Sequence, residues 1–230
     1  METAASIAGT FKLMQIHADL SKRAVVDSTS LDWIASPMAG VERRMLERDG
    51  AEVARATSLV RYAPGSSFSA HRHDLGEEFL VLDGVFSDET GDFHKGMYVR
   101  NPPGSTHIPS SAPGGIILVK LRQMEPDDDT YVRVNTTDAS AWQDGRKGEA
   151  ILPLFANPHE QVDMLQWTGT CTFGPVSLPG GAEYFVVSGS FSDDDGTYGE
   201  GTWLRLPPGS SHTIRTETGA KVWRKTGHLG

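Results

Sequence analysis

Residues Gly65 to Gly84 read GSSFSAHRHDLGEEFLVLDG. The histidines and carboxylates of this stretch are side chains of the kind that bind a transition metal. His71 and His73 are separated by one residue. In an extended chain both point to the same face, because side chains alternate along a strand. Two imidazoles then stand side by side, as an ion requires of two ligands from one strand. Glu77 follows across a turn that contains Gly76. A fourth candidate, His107, ends the stretch GMYVRNPPGSTH, where Pro102, Pro103 and Gly104 force a tight turn that can aim it back at the pair. Three imidazoles and a carboxylate suit one divalent ion, with Zn expected first and Fe, Mn, Ni or Co as alternatives. A solitary His-x-His pair is ordinarily surface decoration. The second motif, ending in His107, is what makes the pattern read as a site.

Other candidates are weaker. Arg61, Tyr98, Arg100 and Arg122 fall in expected strands near the metal motifs. Facing inward, they would help bind a small-molecule substrate, an arginine orienting an anionic group; facing outward, they would only meet solvent. His17, His94, His159 and His228 have no partners at ligand spacing and read as surface residues. Cys171 reads as a small apolar group rather than a nucleophile, since no paired base can be identified. As the sole cysteine it excludes a disulfide within the chain and a four-cysteine zinc module. No general base is visible.

The elements that must position these groups are strands. Runs such as EEFLVLDGVF, GIILVKLRQM and AEYFVVSGSF are rich in Val, Ile, Leu and Phe and bounded by Gly, Pro, Asp and Ser. DETGD and DDDGT read as hairpin loops. Only PMAGVERRMLERD, residues 37–49, could pass for a helix, and its charges leave no wide apolar stripe. The pattern repeats. Residues Leu82 to His107 align without a gap on Val187 to His212, with 12 of 26 positions identical. A fainter echo links VVDSTSLDW, ending at Trp33, with VNTTDASAW, ending at Trp142. An offset near 105 residues is domain-sized, too long for a solenoid unit. The expectation is an all-β chain of two tandem jelly-roll barrels. The first covers 1–124, 125–131 form an acidic linker, and the second covers 132–230.

The motifs carry a resemblance to the cupin superfamily. Gly65, His71, His73, Glu77 and Gly84 match its first motif, G-(x5)-H-x-H-(x3 or x4)-E-(x6)-G. Gly96, Pro102, Gly104 and His107 match its second, with Ser111 in place of the closing Asn. Glu78 is the rival carboxylate, but only Glu77 leaves six residues before Gly84. Residues 17 to 124 are similar, more narrowly, to the ChrR-type cupins, and the second copy is weakly so. The resemblance implies cupin barrels and a metal held by His71, His73, Glu77 and His107. It also offers three activities: a sensing or structural metal or an unassigned small-molecule site, a metal-dependent dioxygenase acting on a dicarbonyl or aromatic ketone, or anti-sigma-like regulation by protein contact. In the family's anti-sigma factors a separate N-terminal helical zinc domain grips the sigma factor. About 20 residues precede the cupin-like region here and the sole cysteine lies in the second repeat, so no machinery for that contact is expected.

The second copy departs from the motif. It lacks the His-x-His pair, Ala182 stands where Glu77 stood, Glu183 matches Glu78, and His212 keeps the place of His107. One ligand does not hold an ion, so this copy is expected to pack against the first. The formal charge of -9, with no basic run, disfavours nucleic acid as a partner. The absence of a basic, apolar leader and of a long apolar stretch leads to the expectation of a soluble cytoplasmic protein without membrane contact. Residues 1–13 are expected to form an arm or an added strand, which would suit a homodimer.

Overall fold

The apolar runs punctuated by Gly, Pro and Asp form strands. The computed structural model describes residues 13–51 and 53–230, and among these there is no α-helix, only two short 3-10 turns. The expected arm at 1–13 lies outside the described residues except for Leu13, which is exposed. No helix among the described residues is long and apolar enough to cross a membrane. The charged stretch at 37–49 is strand from Val41 onward, part of Val41–Gly50, with a bulge between Met45 and Glu47.

Two large antiparallel sheets have the same order. In the first, the strands run Met14–Ile16, Val41–Gly50, Ala54–Tyr62, Gly115–Leu121, Glu77–Asp88, Met97–Asn101 and Val132–Asn135. In the second they run Gln143–Asp144, Glu149–Ala156, Gln161–Thr168, Gly219–Thr226, Ala182–Ser192, Thr202–Leu206 and Ala24–Asp27. Shorter strands close each sheet into a jelly-roll barrel. In the second barrel the closing wall is built from continuous strands, Cys171–Leu178 and Ser210–Thr216. In the first it is broken into Ser66–Ser67 with Ser110–Ser111 and His71–Arg72 with Thr106–His107. The breaks fall where the histidines sit.

The division at 125–131 marks the repeat but not the physical barrels. Ala24–Asp27 pairs with Thr202–Leu206 of the second barrel, and Val132–Asn135 pairs with Met97–Asn101 of the first. Each barrel is thus completed by a strand from the other repeat. This exchange gives the faint echo before Trp33 and Trp142 its meaning, because both segments are exchanged strands followed by a 3-10 turn. Each exchanged strand is the last in its sheet and only four residues long, which keeps the open edge short.

The exchanged strands bracket a core shared by both barrels. Leu46, Leu80, Tyr98 and Leu118 from the first pack with Met164, Phe185, Trp203 and Trp223 from the second. Burying each such side chain contributes roughly 1.5–3 kcal/mol. The glycine that ends the first motif is required by geometry. Gly84 has φ +67°, and a Cβ there would lie 2.1 Å from the Gly114 carbonyl oxygen; Gly189 repeats this at φ +74° and 2.3 Å from the Gly219 oxygen.

Candidate metal centre

Alternation along strand Glu77–Asp88 sorts its two neighbouring carboxylates. Glu77 turns into the first barrel, and Glu78 turns outward to the second, where it accepts from Tyr98 at 2.7 Å and Lys225 at 2.5 Å. The rival carboxylate therefore faces away from the histidines. In the short pair His71–Arg72 and Thr106–His107, His107 stands directly opposite His71. The three imidazole centroids lie 4.6 to 5.0 Å apart.

One donor atom from each of His71, His73, Glu77 and His107 lies within 4.8 Å of all the others. Nε2 of His107 is 3.2 Å from Nε2 of His71. Glu77 Oε2 is 3.6 Å from His73 Nε2 and 3.7 Å from His107 Nε2. Donor atoms bound to one ion at 2.0–2.2 Å sit about 3 to 3.6 Å apart. The opposite ring nitrogens are occupied. His73 Nδ1 meets Ser105 Oγ at 3.0 Å, His107 Nδ1 meets Asp88 Oδ2 at 3.4 Å, and His71 Nδ1 faces the Ser69 carbonyl at 3.3 Å. Such contacts favour the proton on Nδ1 and leave the Nε2 lone pairs directed at the centre.

His73 Nε2 is buried and has no hydrogen-bond partner. An orphaned buried nitrogen is costly, and a cation at the convergence point would satisfy it. The residues fit a divalent ion. Burial pushes His73 down to about 4, with His71 adding to the effect. Burial lowers His107 as well, against the opposing pull of Glu77. Both imidazoles are therefore neutral, and able to coordinate, at pH 7. Burial raises the Glu77 carboxyl, while His107, His71 and a hydrogen bond from Asn101 oppose the rise.

That hydrogen bond belongs to a chain that the sequence reading missed. Asn101 Nδ2 donates to Glu77 Oε2 at 3.3 Å, and Arg133 Nη2 donates to Asn101 Oδ1 at 2.7 Å. Arg133 lies on the exchanged strand Val132–Asn135. The second repeat thus reaches the outer side of a ligand in the first barrel.

A cavity of about 300 Å³ opens on His71, His73 and Glu77. Its walls include Val60, Tyr62, Phe68, Val119 and Leu121. Tyr62 packs edge-on to Phe68 and Phe86, at 5.3 and 5.5 Å, and the Phe86 ring lies 5.8 Å from His107. Burial raises the Tyr62 phenol above its usual range, Glu77 adds to this, and Arg43 opposes it.

The proposed substrate-binding residues separate. Tyr98 and Arg100 lie in the junction between barrels, not in the cavity. Tyr98 is bonded to Glu78. Arg100 is wholly buried and pairs with Asp128 and with Glu160 at 2.9 Å. Arg61 points outward: strand pairing sets Glu42 opposite Arg61 and Arg43 opposite Val60. Arg61 bonds Glu42 on that outer face, and its neighbour Arg43 lines the cavity instead. Arg122 does reach the cavity, bonded to Asp74 at 2.9 Å. His228, expected at the surface, is buried with its Nε2 3.2 Å from Glu183 Oε1. Cys171 is half-buried, with Sγ 3.3 Å from the Thr168 carbonyl.

The second barrel has closed the equivalent space. Trp167 occupies the place of Tyr62 and packs on Phe173 and Phe191, at 5.8 and 5.4 Å. The Tyr184 hydroxyl lies 3.0 Å from His212 Nε2, so the remaining histidine is capped by a phenol. Among the described residues, only the first-barrel cluster could hold an ion.

Comparison with known proteins agrees with this architecture. The ChrR Cupin-like domain matches residues 21–125 and again 130–230, and the chain belongs to that family. No curated protein sequence matches the chain. Among solved structures, it resembles a protein from Nostoc punctiforme provisionally assigned as a dioxygenase, with TM-score 0.75 and 13% identity over 91% of this chain and 84% of that one. It also resembles a cupin 2 conserved barrel domain protein from Leptotrichia buccalis, with TM-score 0.61 and 15% identity over 93% and 99% of the two chains. An oxalate decarboxylase variant from B. subtilis aligns with TM-score 0.58 and 11% identity over 89% of this chain and 77% of that one. At these identities the likeness concerns the fold.

Proposed function

We propose that the first barrel is a metal-dependent site for a small organic molecule, with oxidative cleavage of a dicarbonyl compound as the reaction class. The observation that carries this reading is the cavity of about 300 Å³ that opens on His71, His73 and Glu77. A closed structural or sensing zinc has no need of such a space beside its ligands. His71, His73, Glu77 and His107 would hold a divalent ion, which would supply a Lewis-acid or redox centre beside the cavity.

The chain's own groups do the rest. Ser105 and Asp88 fix the orientation of His73 and His107. Asn101 and Arg133 fix the Glu77 carboxylate. Tyr62, Phe68 and Phe86 form an aromatic wall that packs beside His107, while His71 stays exposed at the mouth of the site. The apolar lining suits the hydrocarbon part of a substrate. A protein provisionally assigned as a dioxygenase stands among the structural neighbours, in keeping with this reaction class, and the site rather than the fold carries the reading.

The test is oxygen uptake by iron-loaded protein with a series of 1,3- and 1,2-dicarbonyl compounds, compared with a His107→Ala variant. Stoichiometric oxygen consumption and cleaved product, lost in the variant, support the reading. Protein that binds one ion and turns over no member of the series contradicts it.

A further inference from the structure

We propose that the substrate carries a carboxylate, held by Arg43, at one end of a small apolar body. The proposal rests on the cavity being the substrate site and deepens that reading by naming a chemical class.

Arg43 faces the cavity from strand Val41–Gly50, on the same side as Val60 and Tyr62. Its Nη2 donates to Ser36 Oγ at 2.5 Å. No carboxylate lies within ion-pair distance of it among the described residues. Three buried guanidinium groups of this chain are matched by carboxylates: Arg205 with Glu47 at 2.6 Å, Arg224 with Asp163 at 2.6 Å, and Arg100 with Glu160 at 2.9 Å. Arg44, which also has no carboxylate within ion-pair distance among the described residues, stacks on the Trp33 ring outside the cavity. The second arginine of the cavity, Arg122, already bonds Asp74. Arg43 is half-buried against an apolar wall and keeps donors to spare. A partly desolvated guanidinium without a counter-ion is unfavourable, and its planar fork matches a carboxylate with two parallel hydrogen bonds.

The charge around the cavity points the same way. Its walls carry Arg43, Arg72 and Arg122 against Asp74 and Glu77, and a divalent ion at Glu77 would make the balance more positive. This occurs in a chain whose formal charge is -9, so the basic lining is local. A volume of about 300 Å³ is at the small end for ligand cavities. The Val60, Phe68, Val119 and Leu121 side chains leave room for an alkyl or aryl group and offer it no hydrogen bonds.

The experiment titrates phenylpyruvate and its methyl ester into metal-free and zinc-loaded protein by calorimetry. The ester keeps the ring and the oxo group and loses only the charge. The wild type is expected to prefer the acid in both forms. Arg43→Ala should weaken acid binding by about tenfold or more, leave ester affinity within about twofold, and leave zinc content unchanged. Arg43→Lys should restore part of the preference, and Arg61→Ala, which lies outside the cavity, should match the wild type. Equal affinity for acid and ester in the wild type, or an unchanged acid-to-ester ratio in Arg43→Ala, would overturn the proposal. Failure of the wild type to bind zinc would count against the metal centre alone, because the comparison in metal-free protein still reads Arg43.

Discussion

Lys225 of the second barrel donates to Glu78 of the first at 2.5 Å, and Lys120 repeats the contact in the opposite direction onto Glu183 at the same distance. All four side chains are almost wholly buried. The crossed pairs are extended by Arg205 with Glu47 and Arg100 with Glu160, again one in each direction. Tyr98 caps Glu78, and the Trp203 indole donates to Glu183 at 3.2 Å. The duplication has produced a junction in which each repeat neutralises the charge of the other. The exchange of Ala24–Asp27 and Val132–Asn135 ties the two repeats together through the backbone as well.

Removing one member of a buried pair leaves its partner charged and unmatched. Lys225→Met should therefore destabilise the protein by about 3–5 kcal/mol. Because the junction is shared, both barrels should unfold in one transition, followed by denaturant titration with far-ultraviolet circular dichroism and tryptophan fluorescence. The double variant Glu78→Leu, Lys225→Met should recover much of the loss. Two separated transitions in the wild type would contradict the shared junction.

The same junction sets the response to acid. Burial raises the Glu78 carboxyl, but Lys225, Arg100 and Lys120 outweigh it and hold it at about 2. A carboxyl depressed on folding contributes stability above its ordinary value near 4.5 and loses it as pH falls through about 2. His228 acts earlier. Burial lowers it from 6.5 to about 4 against the pull of Glu183, so unfolded protein takes up its proton first and stability falls as pH drops through that window. Urea midpoints measured from pH 7 to pH 3 should decline in both ranges, and His228→Gln should flatten the decline between 6.5 and 4. A constant midpoint across the whole range would contradict this assignment.

Much of this was legible in the residues. The 26-residue repeat and its Gly, Pro and Asp punctuation predict paired β barrels, and the spacing of His71, His73, Glu77 and His107 predicts the cluster that the structure brings within 4.8 Å. What escaped depends on which face of a strand a residue takes. In GVERRMLERD, charges occupy both faces, so nothing in the composition separates Arg43, which lines the cavity opposite Val60, from Glu42, which faces away and pairs with Arg61. Tyr98 and Arg100 are close to the motif in sequence yet alternate onto the junction face. The exchange of Ala24–Asp27 and Val132–Asn135 was hidden because both segments are short and only weakly alike. Arg133 was missed for the same reason: its contact with Asn101 crosses that exchange.

Outer contacts tune ligands as well as orient them. Arg133→Met and Asn101→Leu should each weaken metal binding by about 10- to 100-fold while the fold is kept. Competition with a chromophoric chelator measures this directly. Arg133→Met acts through a strand that belongs to the second repeat, so its effect reports on coupling between the repeats. Unchanged affinity in both variants would mean that Glu77 is positioned without them.

The central claim is that one ion is held by His71, His73, Glu77 and His107 and that the second barrel holds none. Elemental analysis of protein purified without added metal or chelator tests it most directly, beside the double variant His71→Ala, His73→Ala and the single variant His212→Phe. The account predicts one equivalent of a divalent metal in the wild type and in His212→Phe, and none in the double variant. Metal content unchanged in the double variant, or lost in His212→Phe alone, would contradict it.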